Sequence, residues 1–296
     1  MSLTNFAPYK MFAALAILFA FHAPPALEDD WRAIATAAKG HVGVAALLIE
    51  SGQSAALAGS THFPMQSVYK LPITMAVLQQ VDQGKLALDQ SIEVRPAEYV
   101  SVGKRSPLRD QFPLGTHKTV RELITYTLVE SDGSASDVLL RLAGGPPAVM
   151  RYLHSLGIAD CIVANSEMAM DWKTQYDNWS TPEAAVKILV SLQQGHALSA
   201  ASRTVVLDNL LKSQTGLHRI RDLLPAGAVV ADKTGTSGTD QGITAATNDI
   251  ALVTLPDGRH LALAVFVSDS PAPDQLRDQV IAKIARATWD AWARAH

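Results

Sequence analysis

The spacing of apolar residues changes character along the chain. A β-type apolar run covers Val42–Glu50, and helical periodicity then begins at Leu71–Gln83 and continues as far as Lys212. Strand patterns return at Ala228–Asp232, Ile243–Thr247, Ile250–Leu255 and Leu261–Ser268. Strands at both ends of a chain with helices between them predict an α+β fold, in which an antiparallel sheet with flanking helices takes its strands from both chain ends and an all-α domain is inserted.

The domain boundaries follow from the same change of pattern. We predict an α/β sheet domain from residues 27–65 and 216–296, and an all-α domain from residues 66–215. The final segment, Asp274–Ala295, is predicted to be a helix because it places apolar residues on one helical face. Ligand sites favour the interfaces between domains, so we expect the functional site between these two.

Several helix ends are marked by residues with a physical role there. Ser180-Thr-Pro-Glu183 has the pattern of a capping box with proline in the first turn, and Ser199 precedes a further helical segment. Glycines that favour the left-handed conformation at helix C-termini are Gly84, Gly144, Gly157 and Gly195. These positions divide the central segment into separate helices.

The first 26 residues differ from the rest of the chain. Lys10 is their only charged residue, and Met11–Phe21 is an unbroken apolar run of eleven. A membrane-spanning helix needs ~20 apolar residues, whereas the apolar part of a signal peptide needs ~7–15. We therefore predict a signal peptide at residues 1–26 and a periplasmic or secreted protein without a stable membrane span. A buried N-terminal helix is the alternative.

Composition excludes several classes of function. Lys+Arg 25 against Asp+Glu 28 gives a net charge of −3, with no block of like charges that could bind phosphates, so nucleic acid is not an expected partner. A single cysteine, Cys161, excludes an intramolecular disulfide and a thiolate zinc cluster. The histidines form no paired metal motif. We expect a monomer that acts on a small molecule without a metal or other cofactor.

Two copies of an S-x-x-K pattern occur in the chain. Ser67-Val-Tyr-Lys70 stands directly before a predicted helix, which places Lys70 one turn after Ser67 on the same side. A serine hydroxyl is a weak nucleophile unless a neighbouring base removes its proton, and a desolvated lysine can do so. Ser101-Val-Gly-Lys104 lies in a polar stretch without apolar periodicity. We interpret Ser101 as a loop residue and Ser67 as the candidate nucleophile.

Two further motifs follow in a fixed order. Ser131-Asp132-Gly133 falls between helical segments, and Lys233-Thr234-Gly235 ends a predicted strand. Taken singly, Ser131 and Asp132 could be helix caps and Lys233 a solvated strand end. The ordered set of three motifs is far more specific, because it is found in class A β-lactamases and penicillin-binding proteins.

The sequence resembles class A serine β-lactamases over nearly all of residues 27–296, and is most similar to their VEB- and PER-like extended-spectrum branch. The segments that carry this resemblance are Phe63–Lys70, Gln175–Trp179, Lys233–Gly238 and Ala245–Ile250. The resemblance implies that the chain is a hydrolase of β-lactam antibiotics such as penicillins and cephalosporins. The fold of that family agrees with the arrangement predicted above.

The resemblance implies roles for the motif residues in forming an acyl-enzyme. Ser67 would be acylated by the lactam carbonyl while Lys70 helps to deprotonate it. The backbone N–H groups of Ser67 and Thr236 would form the oxyanion hole. Ser131 would relay a proton to the leaving nitrogen, with Lys233 beside it.

The same resemblance implies a site for the substrate carboxylate. Lys233, Thr234 and Thr236 would bind it, with Gly235 between the two threonines. Arg219 matches an arginine that some members of the family supply to this site, where a fixed guanidinium suits an anion. A surface arginine on a helical turn is the alternative for Arg219.

A base that hydrolyses the acyl-enzyme separates a β-lactamase from a penicillin-binding protein. Glu167 matches it, in a helix-poor segment, residues 165–178, that we call the Ω-like loop. Asp171 would occupy the place where the family usually has an Asn that holds the water, although a second alignment of the loop makes Asp171 the base. Asn165 and Asn178 stand where the family has an Arg–Asp ion pair, which a hydrogen bond could replace.

Gly133 is a further departure from the family pattern. It replaces an Asn whose amide would contact the side-chain carbonyl of the substrate, so the substrate profile is open at this point.

Two other functions share the three motifs: a DD-peptidase or transpeptidase, and a β-lactam sensor domain that stays acylated. A Ser-His-Asp hydrolase is excluded because the chain has no G-x-S-x-G segment. The lifetime of a penicillin adduct distinguishes the remaining alternatives.

Overall fold

The computed structural model describes residues 25–293 of the chain. The predicted signal peptide lies outside the described residues except for its last two positions. These two residues, Pro25 and Ala26, begin the first helix. Among the described residues, no helix is both long and apolar enough to cross a membrane.

Helices and strands follow one another in the order that the sequence pattern predicts. The described strands are β1 (His41–Leu48), β2 (Gln53–Leu57), β3 (Phe63–Pro64), β4 (Ser91–Val94), β5 (Thr116–Thr119), β6 (Cys161–Ile162), β7 (Trp179–Ser180), β8 (Val229–Thr236), β9 (Thr239–Asp240), β10 (Ile243–Thr254) and β11 (His260–Ser270). The described helices are α1 (Pro25–Ala35), α2 (Lys70–Asp82), α3 (Pro107–Gln111), α4 (Val120–Leu128), α5 (Gly133–Ala143), α6 (Pro146–Ser155), α7 (Pro182–Gln193), α8 (Ala200–Leu211) and α9 (Asp274–Trp292).

The main sheet takes strands from both ends of the chain, which confirms the prediction. Its order is β2-β1-β11-β10-β8, with β9 paired to β10, and the pairs are antiparallel. The segments Ile243–Thr247 and Ile250–Leu255, predicted as two strands, belong to the single strand β10. The C-terminal strand β11 lies between β1 and β10, so the two chain ends meet in the middle of the sheet.

Both faces of the sheet are covered, which explains why its strands read as nearly continuous apolar runs. In β1, Val44, Ala46 and Leu48 belong to a core shared with α1 and α9. The alternate residues Ala45 and Leu47 belong to a second core, shared with the helical block. A strand that buries both faces has apolar residues on both of them, so its sequence does not alternate between polar and apolar positions.

Helix α2 is the central helix of the block formed by α2–α8. Every residue from Lys70 to Leu78 is buried, so the first part of this helix has no polar face. A helix that is surrounded on all sides in this way is fixed by its packing. The start of α2 is therefore a rigid support for the nucleophile motif.

The structure adds short strands that the sequence pattern did not predict. Strands β4 and β5 pair within residues 66–215, and β6 and β7 join β3 in a second small sheet. These strands are two to four residues long, which is too short to show a period. The helical block is therefore mainly α with small strand pairs, and the exact domain boundaries stay a prediction.

The predicted helix ends are confirmed with one shift. Ser199 is the N-cap of α8, and Gly144 ends α5 in the left-handed conformation with φ 98°. The capping box predicted at Ser180 is wrong by one residue, because Thr181 is the N-cap of α7 and Pro182 fills the first turn. Ser180 belongs to β7 instead.

Candidate active site

A cleft between the edge of the sheet and the helical block collects most of the predicted site residues. Its volume is about 560 Å³. The predicted site residues that line it are Ser67, Lys70, Ser131, Glu167, Asp171, Thr234 and Thr236. The others, Gly133, Arg219, Lys233 and Gly235, lie behind this lining and contact it from the protein side.

Ser67 is presented to the cleft by a tight turn. It lies in the 3₁₀ turn Gln66–Tyr69, and it is the one partly exposed residue in the buried run 63–78. Gln66 has a positive φ of 47°, a conformation that is strained for a non-glycine residue. Its side-chain amide donates to Gln175 Oε1 at 2.5 Å. The turn therefore exposes only the serine while its neighbours are packed.

Lys70 connects the nucleophile motif to two other parts of the cleft. Its side chain is buried, and its Nζ donates to the backbone carbonyl of Ser131 at 2.7 Å. The same Nζ lies 3.4 Å from Oε2 of Glu167. A buried ammonium group needs such partners, because desolvation of an unpaired charge is costly. Lys70 thus lies in the lining of the cleft with Ser67 and is in contact with Glu167.

Asp132 fixes the turn that carries Ser131. Its carboxylate accepts from the backbone N–H of Ala135 at 2.8 Å, which caps α5, and from that of Leu108 at 2.6 Å. Ser131 has φ 56°, a left-handed conformation that these contacts hold in place. Its Oγ accepts a hydrogen bond from Lys233 Nζ at 3.0 Å. The helix-capping interpretation therefore holds for Asp132, and the cap aims Ser131 at Lys233.

Lys233 is a fully buried lysine beside Ser131. Its Nζ also donates to the backbone carbonyl of Thr234 at 3.0 Å. Burial, together with the charge of Lys70, lowers the pKa of Lys233 to about 7, although Asp232 opposes the shift. A lysine with such a pKa can gain and lose a proton near neutral pH. The solvated strand end considered as an alternative for Lys233 is wrong.

The close approach of β8 to the nucleophile turn requires Gly235. A Cβ at this position would lie 2.2 Å from the carbonyl oxygen of Met65 and 3.2 Å from the backbone nitrogen of Ser67. Strand β10 holds the same turn, because Asn248 Nδ2 donates to the carbonyl oxygens of Pro64 at 2.7 Å and Met65 at 3.1 Å. The K-T-G strand is therefore in direct contact with the backbone of the nucleophile.

Arg219 is buried, so the alternative of a surface arginine is wrong. Its guanidinium donates to Oγ1 of Thr236 at 2.8 Å and to the carbonyl oxygen of Asn248 at 2.9 Å. Its Nε forms an ion pair with Asp278 at 2.7 Å. A fixed positive charge therefore lies directly behind the β8 wall of the cleft.

Glu167 enters the cleft from the Ω-like loop. Tyr69 donates its hydroxyl to Oε2 at 2.6 Å, and the same oxygen faces Lys70. Burial raises the pKa of Glu167, but the charge of Lys70, the Tyr69 hydroxyl and the charge of Lys104 outweigh it, and the pKa lies below its usual value. Glu167 is therefore a carboxylate at neutral pH, the form that a general base requires.

The backbone of Glu167 is held from both sides. Asp137 of α5 accepts from the N–H groups of Glu167 at 2.7 Å and Met168 at 2.8 Å. Lys104 donates its Nζ to the carbonyl oxygen of Glu167 and, at 2.6 Å, to that of Met170. Burial raises the pKa of Asp137 to about 6. An acidic group and a basic group thus fix the peptide that carries the candidate base.

The base of the Ω-like loop is closed by hydrogen bonds. Oδ1 of Asn178 accepts from the backbone nitrogens of Ala164 at 2.7 Å and Asn165 at 2.8 Å, and its Nδ2 donates to the carbonyl of Asn165 at 2.9 Å. The expected replacement for an ion pair is therefore present. It joins the buried side chain of Asn178 to backbone groups, and the loop is braced at this point.

Asp171 lines the cleft, but its carboxylate is occupied by its own turn. Oδ1 accepts from the backbone nitrogens of Lys173 and Thr174, both at 2.8 Å, and from the Thr174 hydroxyl at 2.9 Å. These hydrogen bonds lower the pKa of Asp171, which is exposed. Of the two candidate bases, Glu167 is the one in contact with Lys70.

Three residues of the site were not assigned from the sequence. Tyr69 lies inside the S-x-x-K motif. A phenol among buried apolar residues needs a hydrogen-bond partner, and this need could have indicated a role in the site. Lys104 belongs to the second S-x-x-K copy, whose Ser101 is an exposed loop residue as predicted. Asp137 follows Gly133 by one helical turn, so it lies on the same side of α5. Position alone could have suggested Asp137, whereas its partners could not be deduced.

Cys161 is buried, as expected for a small apolar residue. Its Sγ lies 3.7 Å from the sulfur of Met65, and burial raises the pKa of its thiol to about 12. Within residues 25–293, no group of three or more His, Cys, Asp or Glu side chains could hold a metal ion.

The geometry of the cleft agrees with a comparison with known proteins. A model of the β-lactamase enzyme family matches residues 26–292. The chain belongs to this family. The resemblance inferred from the three motifs is therefore confirmed.

Curated relatives of this β-lactamase include two enzymes of Pseudomonas aeruginosa. Beta-lactamase VEB-1 is 40% identical over 233 residues, which are 77% of this chain and 78% of the relative. Extended-spectrum beta-lactamase PER-1 is 39% identical over 272 residues, 90% of this chain and 87% of the relative.

Solved structures confirm the fold class. A β-lactamase from Chitinophaga pinensis has 46% sequence identity and a TM-score of 0.87, covering 90% of this chain and 99% of its own. The TLA-3 extended-spectrum β-lactamase has 36% identity and a TM-score of 0.89, covering 92% of this chain and 100% of its own. The α+β arrangement of this β-lactamase is thus that of its family.

Proposed function

We propose that the chain hydrolyses penicillins and cephalosporins through an ester on Ser67, which water activated by Glu167 then cleaves. The observation that carries this proposal is the Glu167 carboxylate, 3.4 Å from Lys70 Nζ in the lining of the cleft that also contains Ser67. A peptidase or a sensor needs the nucleophile but not this base. The family of the chain supports the same conclusion.

The acylation step uses the three motifs together. Ser67 Oγ attacks the lactam carbonyl carbon, and its proton leaves towards Lys70 and Glu167. The backbone N–H groups of Ser67 and Thr236 stabilise the oxyanion that forms. The C–N bond then breaks, and the nitrogen takes a proton through Ser131, which Lys233 contacts at 3.0 Å.

The carboxylate that β-lactams carry would bind along β8. Thr234 and Thr236 line this wall, with the buried charges of Lys233 and Arg219 behind it. A positive charge close behind the wall attracts a carboxylate, and this attraction is stronger where water is excluded. This arrangement supports an anionic substrate whose reactive carbonyl faces Ser67.

Deacylation depends on the orientation of Glu167. Oε2 is engaged by Tyr69 and Lys70, which leaves Oε1 for a water molecule. Glu167 takes a proton from this water, the hydroxide oxygen bonds to the ester carbon, and Ser67 Oγ leaves with a proton. The product is the ring-opened acid, and Ser67 is regenerated.

Oxyimino-cephalosporins are the substrates that we propose within this class. The support comes from PER-1 and TLA-3, whose names describe extended-spectrum enzymes. A hydrolysis panel with one penicillin, one oxyimino-cephalosporin and one carbapenem measures this profile.

We further propose that residues 1–26 are a signal peptide and that the mature protein is a periplasmic or secreted monomer. The apolar run Met11–Phe21 supports the first statement. N-terminal sequencing of protein from the periplasmic fraction tests it. Sedimentation at working concentration tests the second, and a stable dimer would contradict it.

The decisive experiment follows the penicillin adduct by intact-protein mass spectrometry. Ser67→Ala is expected to form no adduct and to lose several orders of magnitude in rate, while Ser101→Ala behaves like the wild type. Glu167→Gln is expected to accumulate an adduct that the wild type turns over. A wild-type adduct that persists for hours would indicate a peptidase or a sensor instead.

Asp171→Asn is the control for the competing alignment of the loop. Because the Asp171 carboxylate is held by its own turn, we expect this variant to turn over without a trapped adduct. A trapped adduct on Asp171→Asn together with normal turnover by Glu167→Gln would transfer the role of base to Asp171.

A further inference from the structure

Tyr69 is a buried residue that the reaction described above does not use as a reactant. Its side chain is fully buried beside the nucleophile, at the third position of the S-x-x-K motif. Its hydroxyl donates to Oε2 of Glu167 at 2.6 Å, across 98 positions of sequence. A short hydrogen bond to an ionised carboxylate belongs to the strong class. The contact therefore acts on the base itself.

The effect of this contact follows from the geometry of a carboxylate. The last torsion of a Glu side chain is broad and roughly two-fold, so it does not by itself fix which oxygen faces the cleft. Tyr69 and Lys70 both contact Oε2. In the part of the chain that the structure describes, Oε1 accepts no hydrogen bond. The second oxygen is thus left for water.

Four ionisable side chains face Glu167. Tyr69 and Lys70 approach from the nucleophile turn and α2, Lys104 from the loop before α3, and Asp137 from α5. Lys104 and Asp137 hold the backbone, so they leave the carboxylate free to turn. Burial and the charges of Glu167 and Asp137 raise the pKa of Tyr69 well above its usual value, which keeps the phenol protonated as a donor.

We infer that Tyr69 is a positioning residue for deacylation: its hydroxyl locks the carboxylate of Glu167 so that Oε1 faces the water that attacks the ester. This inference rests on the proposed function. It assigns the third residue of the motif to the hydrolytic half of the reaction.

Tyr69→Phe removes one oxygen atom and keeps the ring in place. We expect the single-turnover deacylation rate to fall about tenfold, with the acylation rate within about threefold of wild type. We also expect the acid limb of the deacylation rate to move up by about one pH unit, because the ionised form of Glu167 loses a donor. Asp137 is common to both proteins, so the difference between the two profiles reports the lost hydroxyl.

Two comparisons separate positioning from a general structural role. Tyr126→Phe, which removes a hydroxyl bonded to Gln111 on α3, is the matched control and should leave both rates unchanged. In the Glu167→Gln background, Tyr69→Phe should have no further effect on deacylation, because there is no carboxylate to orient. A thermal melt of each variant verifies folding.

The outcomes are distinguishable. A Tyr69→Phe variant with the deacylation rate and acid limb of wild type would overturn the inference, and so would an equal loss on top of Glu167→Gln. A wild-type protein whose Ser67 is never acylated would overturn the proposed function instead.

Discussion

Gly133 lies directly against the side chain of Glu167. A Cβ at position 133 would fall 2.8 Å from Cγ of Glu167, 3.2 Å from the carbonyl oxygen of Arg105 and 3.3 Å from Cγ1 of Val100. The first of these contacts is shorter than real Cβ contacts, so the Glu167 side chain or the backbone would have to shift. The glycine in the second motif is therefore required by the position of the candidate base, whatever its effect on substrate contacts.

Gly133→Ala is expected to displace Glu167 and slow deacylation. A shift of the base by about an ångström can cost up to about a hundredfold in rate, and acylation should suffer less because Ser67 and Lys70 lie on a different element. Stopped-flow hydrolysis and adduct mass measure the two steps. Normal deacylation by a folded Gly133→Ala protein would contradict this packing argument.

Lys104→Met is expected to loosen the Ω-like loop. Its ammonium donates to the carbonyl oxygens of Glu167 and Met170, and both bonds are lost in the variant. We expect deacylation to fall about tenfold and the loop to become more open to protease. Lys104→Arg keeps the charge and the donors and should restore most of the rate.

The control for this prediction is Lys85→Met, at an exposed position after α2. Ser101→Ala tests the other half of the second S-x-x-K copy and should be silent. If Lys104→Met deacylates as fast as Lys85→Met, the contact has no role in turnover.

Asp137→Asn is expected to make the protein more stable and the enzyme slower. The pKa of Asp137 is 3.8 in the unfolded chain and about 6 in the folded protein. Below pH 3.8 the carboxyl is protonated in both states and costs the fold no stability. As the pH rises through about 6, the folded protein has to hold an ionised carboxylate that burial disfavours, and stability is lost. The neutral amide avoids this loss, and we expect ~1–2 kcal/mol of added stability at pH 7.5 that falls to about half at pH 5, because the loss begins near pH 3.8.

Denaturant melts at the two pH values measure this difference. Asp137 accepts the two loop N–H groups with different oxygens, so an asparagine in the same orientation would turn its NH₂ group towards one of these donors, and deacylation should slow at the same time. A stability gain independent of pH would show that Asp137 is not the titrating group.

Arg221→Met is expected to destabilise the fold without changing the cleft. Arg221 Nε donates to Oδ1 of Asp232 at 2.7 Å, and Asp232 is fully buried. Removing one partner of a buried ion pair costs about 3–5 kcal/mol. Arg151→Met, at an exposed position, is the control. The double variant Arg221→Met with Asp232→Asn should recover part of the loss, and a full loss in it would contradict the pairing.

Local signals in the sequence predict much of the fold and the nucleophile. Helical and strand periods are read within single segments, and Ser67 and Lys70 are three positions apart on one helix start. The continuity of β10 was hidden because Asn248 and Asp249 interrupt the apolar pattern. Both side chains are fully buried and bonded to other segments: Asn248 donates to Pro64, and Asp249 accepts from the backbone N–H of Ile220. These partners are distant in sequence, so no local pattern indicates that the two polar residues continue the strand.

The surroundings of Glu167 could not be predicted for the same reason. Tyr69 is 98 positions away from it, Lys104 is 63 and Asp137 is 30. The conformation of the Ω-like loop brings these groups together, and the loop has no periodicity. A motif fixes which groups react, whereas the orientation of those groups depends on distant contacts.

The pairing of the two chain ends bears on how the protein acquires its shape. His41 in β1 is opposite Ser268 in β11, so the sheet closes only when nearly the whole chain is available. Such distant pairings are slow to form. Until β11 is made, β1 and β10 lack their common neighbour and present apolar edges on which other chains can assemble. Chains shortened before β11 should therefore accumulate as aggregates rather than as weakened enzymes.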